Sequence, residues 1–334
     1  MKDVLLIGKG INYTQYRLFE NAADVEKLDL VPSFGYPASD NMLSAVAGSS
    51  IPLTPIGRIS AINAEEVALY LHKVQQYEQL YTFSSPIAAD RAWMKNVIHV
   101  TGAGDITTSD ILETALKGHA KIISDTLFGG NVTSFAKSSA DAVQQANSVR
   151  LANLINNGTG VLTYFGHSSA STLEFNLDNP MSYSNDGKYP IFIVMGCNAG
   201  NFFNYSTSRF FTKETLSERY VLAPERGSIA FLASTHLGIV HYLDIYNTKL
   251  YTAISRTRYG QTLGEVMDEA IREVFSVTTE NDFYARFQCE EFTLHGDPAL
   301  RLYTSPKPDY VIEDPMVKIS PSFISIAETS FKVK

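Results

Sequence analysis

From Trp93 onward, short apolar runs alternate with longer segments of helical periodicity. The run Ile191-Phe192-Ile193-Val194-Met195 has no polar position, which is typical of a strand covered on both faces in a mostly parallel sheet. Alternating strands and helices predict an α/β fold, in which an open sheet carries helices on both faces. The predicted strands lie at 97–101, 121–124, 160–165, 191–196 and 228–234, and the predicted helices at 108–119, 141–156, 238–255 and 263–276.

The first part of the chain predicts a smaller α/β unit of its own. Two predicted strands, Val4–Ile7 and Ile56–Ile59, are followed by a helix that starts after Asn63. Beyond Tyr303 several prolines interrupt the sequence, and 320–334 resembles the opening strand of another β-domain. The predicted organisation is an N-terminal α/β subdomain at 1–88, a main domain at 89–304, and a linker with the start of a β-type (Ig-like) segment at 305–334, all within a larger multidomain chain.

Composition argues against several classes of function. The chain of 334 residues has a formal net charge of −8 and no cluster of Lys and Arg, so no nucleic-acid partner is expected. It has no stretch of about 18 apolar residues, so no membrane span is expected. The two cysteines, Cys197 and Cys289, are too few for a disulfide framework. Because His and Cys residues are scattered along the chain, no metal centre is expected and no cofactor is required.

Two consecutive predicted strands end in side chains that suit nucleophilic catalysis. The run at 161–166 is followed by His167, and the run at 191–196 is followed by Cys197. If the strands are parallel neighbours, both side chains emerge at the same edge of the sheet, where ligands bind in such folds. An imidazole beside a thiol can hold it as the reactive thiolate. The pattern predicts a Cys–His dyad; the alternative is that Cys197 is a small buried structural residue.

The turn Gly8-Lys9-Gly10 after the first strand offers a different interpretation. Nucleotide-binding enzymes carry such a turn, but here Tyr13 stands where the third glycine of that pattern belongs. A nucleotide-dependent enzyme is therefore an alternative, and it predicts that substitution of Cys197 leaves activity unchanged.

Four segments, in order, resemble the gingipain family of cysteine peptidases, which have a caspase-like fold. Tyr164-Phe165-Gly166-His167 and Val194-Met195-Gly196-Cys197-Asn198 resemble the His and Cys strand ends of that family. The segments at 227–235 and 294–300 are similar to its strand after the nucleophile and to its Gly-Asp-Pro segment. The resemblance covers 90–303, and it implies a mostly parallel sheet preceded by a smaller α/β subdomain.

By position, the resemblance implies a set of catalytic roles. Cys197 would attack the scissile carbonyl and His167 would protonate the leaving amine. The oxyanion hole would use the backbone N–H groups of Cys197 and Ser168. Asp105, which follows the predicted strand at 97–101, would steady His167; alternatively, Asp105 is a loop or helix-capping residue.

The resemblance also implies where substrate specificity arises. Asp110 would be a buried acid that selects a basic P1 side chain, and His236 would wall the same pocket. The alternative for Asp110 is the start of a helix. The family usually has Gly where this chain has Ser168, and often Ala or Thr where it has Gly196. Neither departure removes a reactive group.

The implied function is a cysteine endopeptidase that cleaves polypeptides through an acyl-enzyme. A sortase of type IX secretion shares the same chemistry, and the alternative is a catalytically inactive caspase-fold binding or scaffold domain of a larger secreted protein. The resemblance implies a bacterial secreted or cell-surface location. It also allows a structural calcium ion, for which Asp178-Asn179 and Asn185-Asp186 offer oxygen ligands.

Overall fold

A computed structural model describes residues 2–82, 85, 87–125, 127–137, 145–303, 314–320 and 332–333. The chain forms two units, Met1–Thr304 and Ser305–Lys334. The second unit contains a short antiparallel pair, Ile319–Ser320 with Lys332–Val333. The first unit contains the predicted boundary at 88/89, and that subdivision stays a prediction, as does the Ig-like character of the C-terminal segment.

One eight-stranded sheet forms the centre of the first unit. Its strands lie side by side in the order β1-β2-β8-β7-β6-β5-β3-β4. Strands β3 to β7 run parallel to one another, whereas β8 runs antiparallel to β7 and parallel to β2. The strands are β1 (Val4–Ile7), β2 (Ile56–Ile59), β3 (Asn96–Gly102), β4 (Asn131–Lys137), β5 (Val161–Gly166), β6 (Ile191–Met195), β7 (Ala230–Ser234) and β8 (Phe292–His295).

Ten α-helices surround this sheet among the described residues. They are α1 (Tyr13–Phe19), α2 (Val25–Leu28), α3 (Ala64–Thr82), α4 (Ala88–Arg91), α5 (Ile106–Ile123), α6 (Gln145–Asn157), α7 (Leu216–Val221), α8 (Val240–Thr252), α9 (Leu263–Val277) and α10 (Phe283–Glu291). Helix α8 continues into a π-helical turn at Ala253–Thr257. No helix of the described residues is both long enough and apolar enough to span a membrane.

Helices cover both faces of the sheet. On one face, His99 of β3 and Thr163 of β5 are paired in register, and both contact the hydroxyl of Tyr251 in α8 at 2.9 and 2.6 Å. On the other face, the ring of Phe192 in β6 packs against Tyr220 of α7, with centroids 4.9 Å apart. Phe192 pairs with the residue before Thr163, and successive side chains of a strand point to opposite faces. The predicted two-sided α/β sheet is therefore confirmed.

One predicted strand is wrong. The sequence predicts a strand at 121–124, but these residues form the end of α5 and its C-cap. The strand follows later, as β4 (Asn131–Lys137), which is an edge strand in which only Phe135 is buried. Helix α10 and strand β8 have no counterpart among the sequence-based predictions.

A buried lysine joins α3 to α7 and to the segment before β7. Nζ of Lys73, a fully buried residue, lies within hydrogen-bond distance, 2.8–3.2 Å, of four carbonyl oxygens. Two of them belong to the last residues of α7, so the lysine satisfies groups that a helix C-terminus leaves unpaired. The acceptors are the carbonyls of Tyr220, Val221, Arg226 and Ser228.

The turn after β1 is packed against the rest of the chain. Lys9 is buried and pairs with the carboxylate of Glu218 at 3.2 Å. A Cβ at Gly10 would lie 2.6 Å from the carbonyl oxygen of Val31. The chain's own residues fill the space that a phosphate would need, so the structure gives no support to the nucleotide-dependent alternative.

Candidate active site

The sheet register brings His167 and Cys197 to the same edge. Strands β5 and β6 are parallel neighbours, and Phe165 pairs with Met195 at their carboxyl ends. Each reactive residue lies two positions beyond its member of this pair. Neighbouring strands are about 4.8 Å apart, so the backbones of the two residues emerge side by side. The predicted placement of these two residues at adjacent strand ends is what the structure has.

A hydrogen bond joins the two strand ends directly. The Ser168 hydroxyl donates to the carbonyl oxygen of Cys197 at 2.8 Å. Gly196 makes room for this bond, because a Cβ there would clash with the Ser168 hydroxyl and would lie 2.6 Å from the carbonyl oxygen of Gly166. The two positions at which this chain departs from the gingipain pattern are therefore spatially coupled.

The loop after β7 shapes the surroundings of Cys197. The thiol sulfur accepts the N–H of Gly238 at 3.3 Å, so the loop contacts the sulfur directly. The next residue, Asn198, has a φ of +58°, and its N–H donates to the carbonyl oxygen of His236 at 2.5 Å. Cys197 is half-buried, whereas Cys289 is fully buried and burial raises the pKa of its thiol.

Backbone contacts hold His167 in place while leaving its ring exposed. Its N–H donates to the carbonyl of Gly102, at the end of β3, at 3.1 Å. Its carbonyl accepts the hydroxyl of Tyr164 at 2.6 Å and the N–H of Glu174 at 3.3 Å. Gly102 is required here, because a Cβ at this position would occupy the place of the Tyr164 hydroxyl. Among the described residues the imidazole has no hydrogen-bond partner, so it is available to substrate and thiol.

Asp105 caps a helix near His167. One carboxylate oxygen accepts the N–H of Thr108 at 2.9 Å and the other accepts its hydroxyl at 2.7 Å, so Asp105 is the N-cap of α5. These bonds lower the pKa of Asp105, and His167 adds a smaller electrostatic effect in the same direction. The contacts of Asp105 are those of a helix-capping residue, the alternative named above. Its role in steadying His167 stays a prediction.

Asp110 lies in a groove of about 900 Å³ between α5 and α8. It is exposed, so the expectation of a buried carboxylate is wrong. The groove also contains Asp244, one of whose oxygens lies 2.9 Å from Nε2 of the buried His119. Val240, two residues after the glycine that contacts the Cys197 sulfur, also lines the groove.

His236 lies on the loop that contacts Cys197, and an N-terminal residue holds its ring. Nε2 of His236 lies 3.2 Å from the hydroxyl of Tyr36. The sequence-based prediction missed Tyr36 and Gly238. Tyr36 is 200 residues from its partner His236, and no local sequence pattern predicts so distant a contact. Gly238 follows a strand end, which is the one local feature that could have pointed to it.

Helix α10 supports the same loop. The N–H of Ile239 donates to the side-chain oxygen of Gln288 at 3.3 Å, and the amide of Gln288 donates to the hydroxyl of Ser234 at 2.8 Å. Glu291 lies beside them, and burial raises its pKa to about 9, so its carboxyl is protonated at neutral pH. The loop around the thiol thus rests on a neutral polar cluster.

The described residues contain no group of three His, Cys, Asp or Glu side chains that could hold a metal ion. Within the loops named for calcium, Asp178 accepts the N–H of Leu173 at 2.7 Å, and Asp186 accepts the hydroxyl of Tyr189 at 2.8 Å. Structural calcium stays a prediction.

A mostly parallel sheet that carries a histidine and a cysteine on neighbouring strand ends defines a cysteine peptidase of caspase-like fold. The chain belongs to peptidase family C25, whose family model matches residues 1–303. The predicted resemblance and the predicted fold class are both confirmed. No curated protein matches the sequence.

Solved structures agree with this assignment at the level of the fold. The Arg-specific cysteine proteinase gingipain R (RgpB) is 15% identical, with a TM-score of 0.66 over 90% of this chain and 64% of that one. The complex of the Porphyromonas gingivalis RgpB pro- and mature domains is 16% identical, with a TM-score of 0.66 over 91% of this chain and 66% of that one. A further protease structure is 16% identical, with a TM-score of 0.61 over 84% of this chain and 65% of that one. The chain thus spans slightly less than two thirds of each relative.

Proposed function

We propose that the chain is a cysteine endopeptidase that cleaves polypeptides, with Cys197 as nucleophile and His167 as acid/base. The observation that carries the proposal is the register of β5 and β6, together with the Ser168–Cys197 hydrogen bond. These features bring an exposed imidazole and a half-buried thiol to one edge of a rigid sheet. Membership of family C25 supports the same conclusion.

The proposed reaction has two chemical steps. His167 takes the proton of the Cys197 thiol, and the sulfur attacks the scissile carbonyl carbon to form a C–S bond. Collapse of the tetrahedral intermediate breaks the C–N bond while His167 gives its proton to the leaving amine, which leaves a thioester. Water, deprotonated by His167, then attacks the thioester and releases the carboxylate and the thiol.

Two backbone N–H groups support the proposed oxyanion hole. Within the described part of the chain, the N–H groups of Ser168 and Cys197 have no hydrogen-bond acceptor, so both can donate to a substrate oxygen. Such donors stabilise the negative charge that develops in the transition state. The Ser168 side chain is occupied with the Cys197 carbonyl, so it leaves its own N–H free. This arrangement favours an active enzyme over the inactive scaffold.

The groove between α5 and α8 supports a basic P1 residue. It is lined by Asp110 and Asp244, and also by Val240, two residues after the glycine that contacts the Cys197 sulfur. An Arg or Lys side chain placed there would gain charge-assisted hydrogen bonds. His236, which the sequence predicts to wall the same pocket, is not among the residues that line this groove; its carbonyl accepts the N–H of Asn198, next to the thiol.

The same acyl-enzyme allows transpeptidation, because an amine can replace water as the acceptor. We therefore extend the proposal to a C-terminal-signal sortase of type IX secretion, in a secreted or cell-surface setting and within a longer multidomain protein. The chemistry of the dyad is common to both outcomes. The ratio of aminolysis to hydrolysis products, measured with an added amine, distinguishes them.

The test is the labelling rate of Cys197 by a peptidyl acyloxymethyl ketone with Arg at P1, followed by intact mass. We expect fast labelling that is lost in His167→Ala and slowed at least about tenfold in Asp110→Asn, a factor that corresponds to 1.4 kcal/mol. Asp24→Asn, which changes a surface carboxylate of α2, should label like the wild type. An Ala-P1 probe should react slowly.

The possible outcomes separate the parts of the proposal. Slow labelling that is indifferent to loss of His167 would overturn the dyad and favour the scaffold alternative. Fast labelling with equal rates for Arg and Ala probes would retain the dyad but refute the acidic P1 groove.

A further inference from the structure

A chain of aromatic rings runs along the surface beside Cys197. Each ring contacts the next, with neighbouring centroids 5.2–6.1 Å apart. We call this feature the aromatic strip. Its members, in order of contact, are Tyr36, His236, Phe287, Phe283, Tyr284, Tyr242 and His241.

Four rings of the aromatic strip are exposed, and the other three, His236, Tyr242 and Phe287, are half-buried. Tyr36 is 58% exposed, Phe283 is 69% exposed and Tyr284 is 52% exposed. Contiguous apolar surface of this kind usually marks a binding site, because it gains free energy only when a partner covers it. Three distant segments contribute the rings: the loop at 34–42, the segment at 236–242 and the start of α10.

The strip is continuous with the catalytic residues. His236 belongs to it, and its carbonyl accepts the N–H of Asn198, the residue after the nucleophile. Two residues later, Gly238 donates to the Cys197 sulfur. A polypeptide bound at the thiol therefore extends over the strip when it leaves the cleft on this flank.

A small cavity adds depth at the Tyr36 end. It has a volume of about 150 Å³ and is lined mainly by apolar and aromatic side chains. Its polar neighbour Glu291 is protonated at neutral pH, since burial raises the pKa of this carboxyl to about 9. The other acidic residue of the lining, Glu290, is paired with the guanidinium of Arg286 at 3.2 Å, so the cavity suits an uncharged side chain. Its principal walls are Phe34, Tyr36, Pro37, Met42 and Phe287.

We infer that the aromatic strip binds apolar or aromatic side chains of the polypeptide substrate at positions that flank the scissile bond. Side chains on one face of an extended chain repeat about every 6.6 Å, close to the spacing of the rings. Ring-to-ring contacts of this kind favour aromatic and aliphatic partners. This inference rests on the proposed function and adds a second determinant of specificity, distinct from the acidic groove.

The experiment compares two peptide series with the same P1 residue. One series carries Phe, Tyr or Leu at positions flanking P1 on both sides, one position at a time, and the other carries Ser there. The full chain is assayed as wild type, as the Phe283→Ser/Tyr284→Ser double variant and as Phe211→Ser. Phe211 is the matched control, since it is 88% exposed and lies outside the strip. Thermal melting verifies that each variant is folded.

We expect the wild type to favour at least one apolar position by about tenfold in kcat/KM, and the double variant to lose most of that preference. The kcat/KM for the Ser peptides should be the same in the wild type and the double variant, and Phe211→Ser should keep the wild-type preference. Equal kcat/KM for apolar and Ser peptides in the wild type would overturn the inference while leaving the peptidase intact. The inference would also be overturned if the double variant kept the preference and the wild type were a dimer that the double variant loses in size-exclusion chromatography. The aromatic strip would then join two copies of the chain. Absence of any cleavage, with no labelling of Cys197 by a minimal electrophile, would instead overturn the proposed function.

Discussion

Replacement of Gly196 by Ala, alone and together with Ser168→Gly, tests whether positions 168 and 196 at the ends of β5 and β6 are energetically coupled. In the wild type the Ser168 hydroxyl occupies the space beside Gly196 and donates to the Cys197 carbonyl at 2.8 Å. A methyl group at 196 would displace that hydroxyl. It would also press on the carbonyl oxygen of Gly166, 2.6 Å away, which no substitution at 168 relieves.

The expected free energies follow from these contacts. Ser168→Gly removes one half-buried hydrogen bond, which costs about 1 kcal/mol of the free energy of unfolding. Gly196→Ala overpacks a rigid strand end, which costs about 1–3 kcal/mol. In the double variant the clash with the hydroxyl is gone, but the clash with the Gly166 backbone remains. Its cost should therefore fall short of the sum of the single costs by about 1 kcal/mol.

Urea unfolding of the wild type and the three variants measures this coupling, and the labelling rate of Cys197 shows whether the nucleophile has moved. Gly196→Ala should slow labelling, and Ser168→Gly should restore part of the rate in the double variant. If the unfolding free-energy losses of the two single variants add up to that of the double variant within about 0.3 kcal/mol, positions 168 and 196 are independent and the proposed coupling is refuted.

Three further predictions concern groups that the structure buries. Lys73→Met removes the buried donor from the carbonyls of Val221, Arg226 and Ser228, whereas the Tyr220 carbonyl keeps the N–H of Ser228. The substitution should lower the free energy of unfolding by about 3 kcal/mol or more, measured in urea; a loss below about 1 kcal/mol would contradict a stabilising role of these hydrogen bonds. For Glu291, burial raises the pKa from 4.5 to about 9. The unfolded carboxyl ionises first, so wild-type stability falls as pH rises through that window. Glu291→Gln should therefore gain melting temperature relative to the wild type between pH 5 and pH 8, and a difference independent of pH would argue against the shift. Iodoacetamide should modify one thiol in the native chain, Cys197, and two in urea; rapid native modification of Cys289 would contradict its burial.

The sequence was informative where one local pattern decides the outcome. The apolar run Ile191–Met195 predicts a central strand because both of its faces are covered. The same logic fails for β4, because only Phe135 of this edge strand is buried and the sequence of Asn131–Lys137 therefore lacks a strand-like apolar run. The residues at 121–124 look like a strand because their apolar pair packs inward from the last turn of α5.

The reactive residues could be predicted for a similar reason, and their surroundings could not. His167 and Cys197 each follow a strand, and strand ends meet at one edge of a parallel sheet. Asp110 is less tractable, because the side of α5 on which it lies depends on how that helix packs against α8. The hydroxyl of Ser168 and the ring of Tyr36 find their partners only through the complete tertiary structure.

The position of β8 has a consequence for the way this molecule is made. The last strand of the sheet lies between β2 and β7, so it is the seam between the first two strands synthesised and all the others. During synthesis β1 and β2 can pair only with each other until Phe292–His295 leaves the ribosome. A nascent chain that stalls before β8 would therefore leave the facing edges of β2 and β7 unpaired, and unpaired edges of this kind promote aggregation.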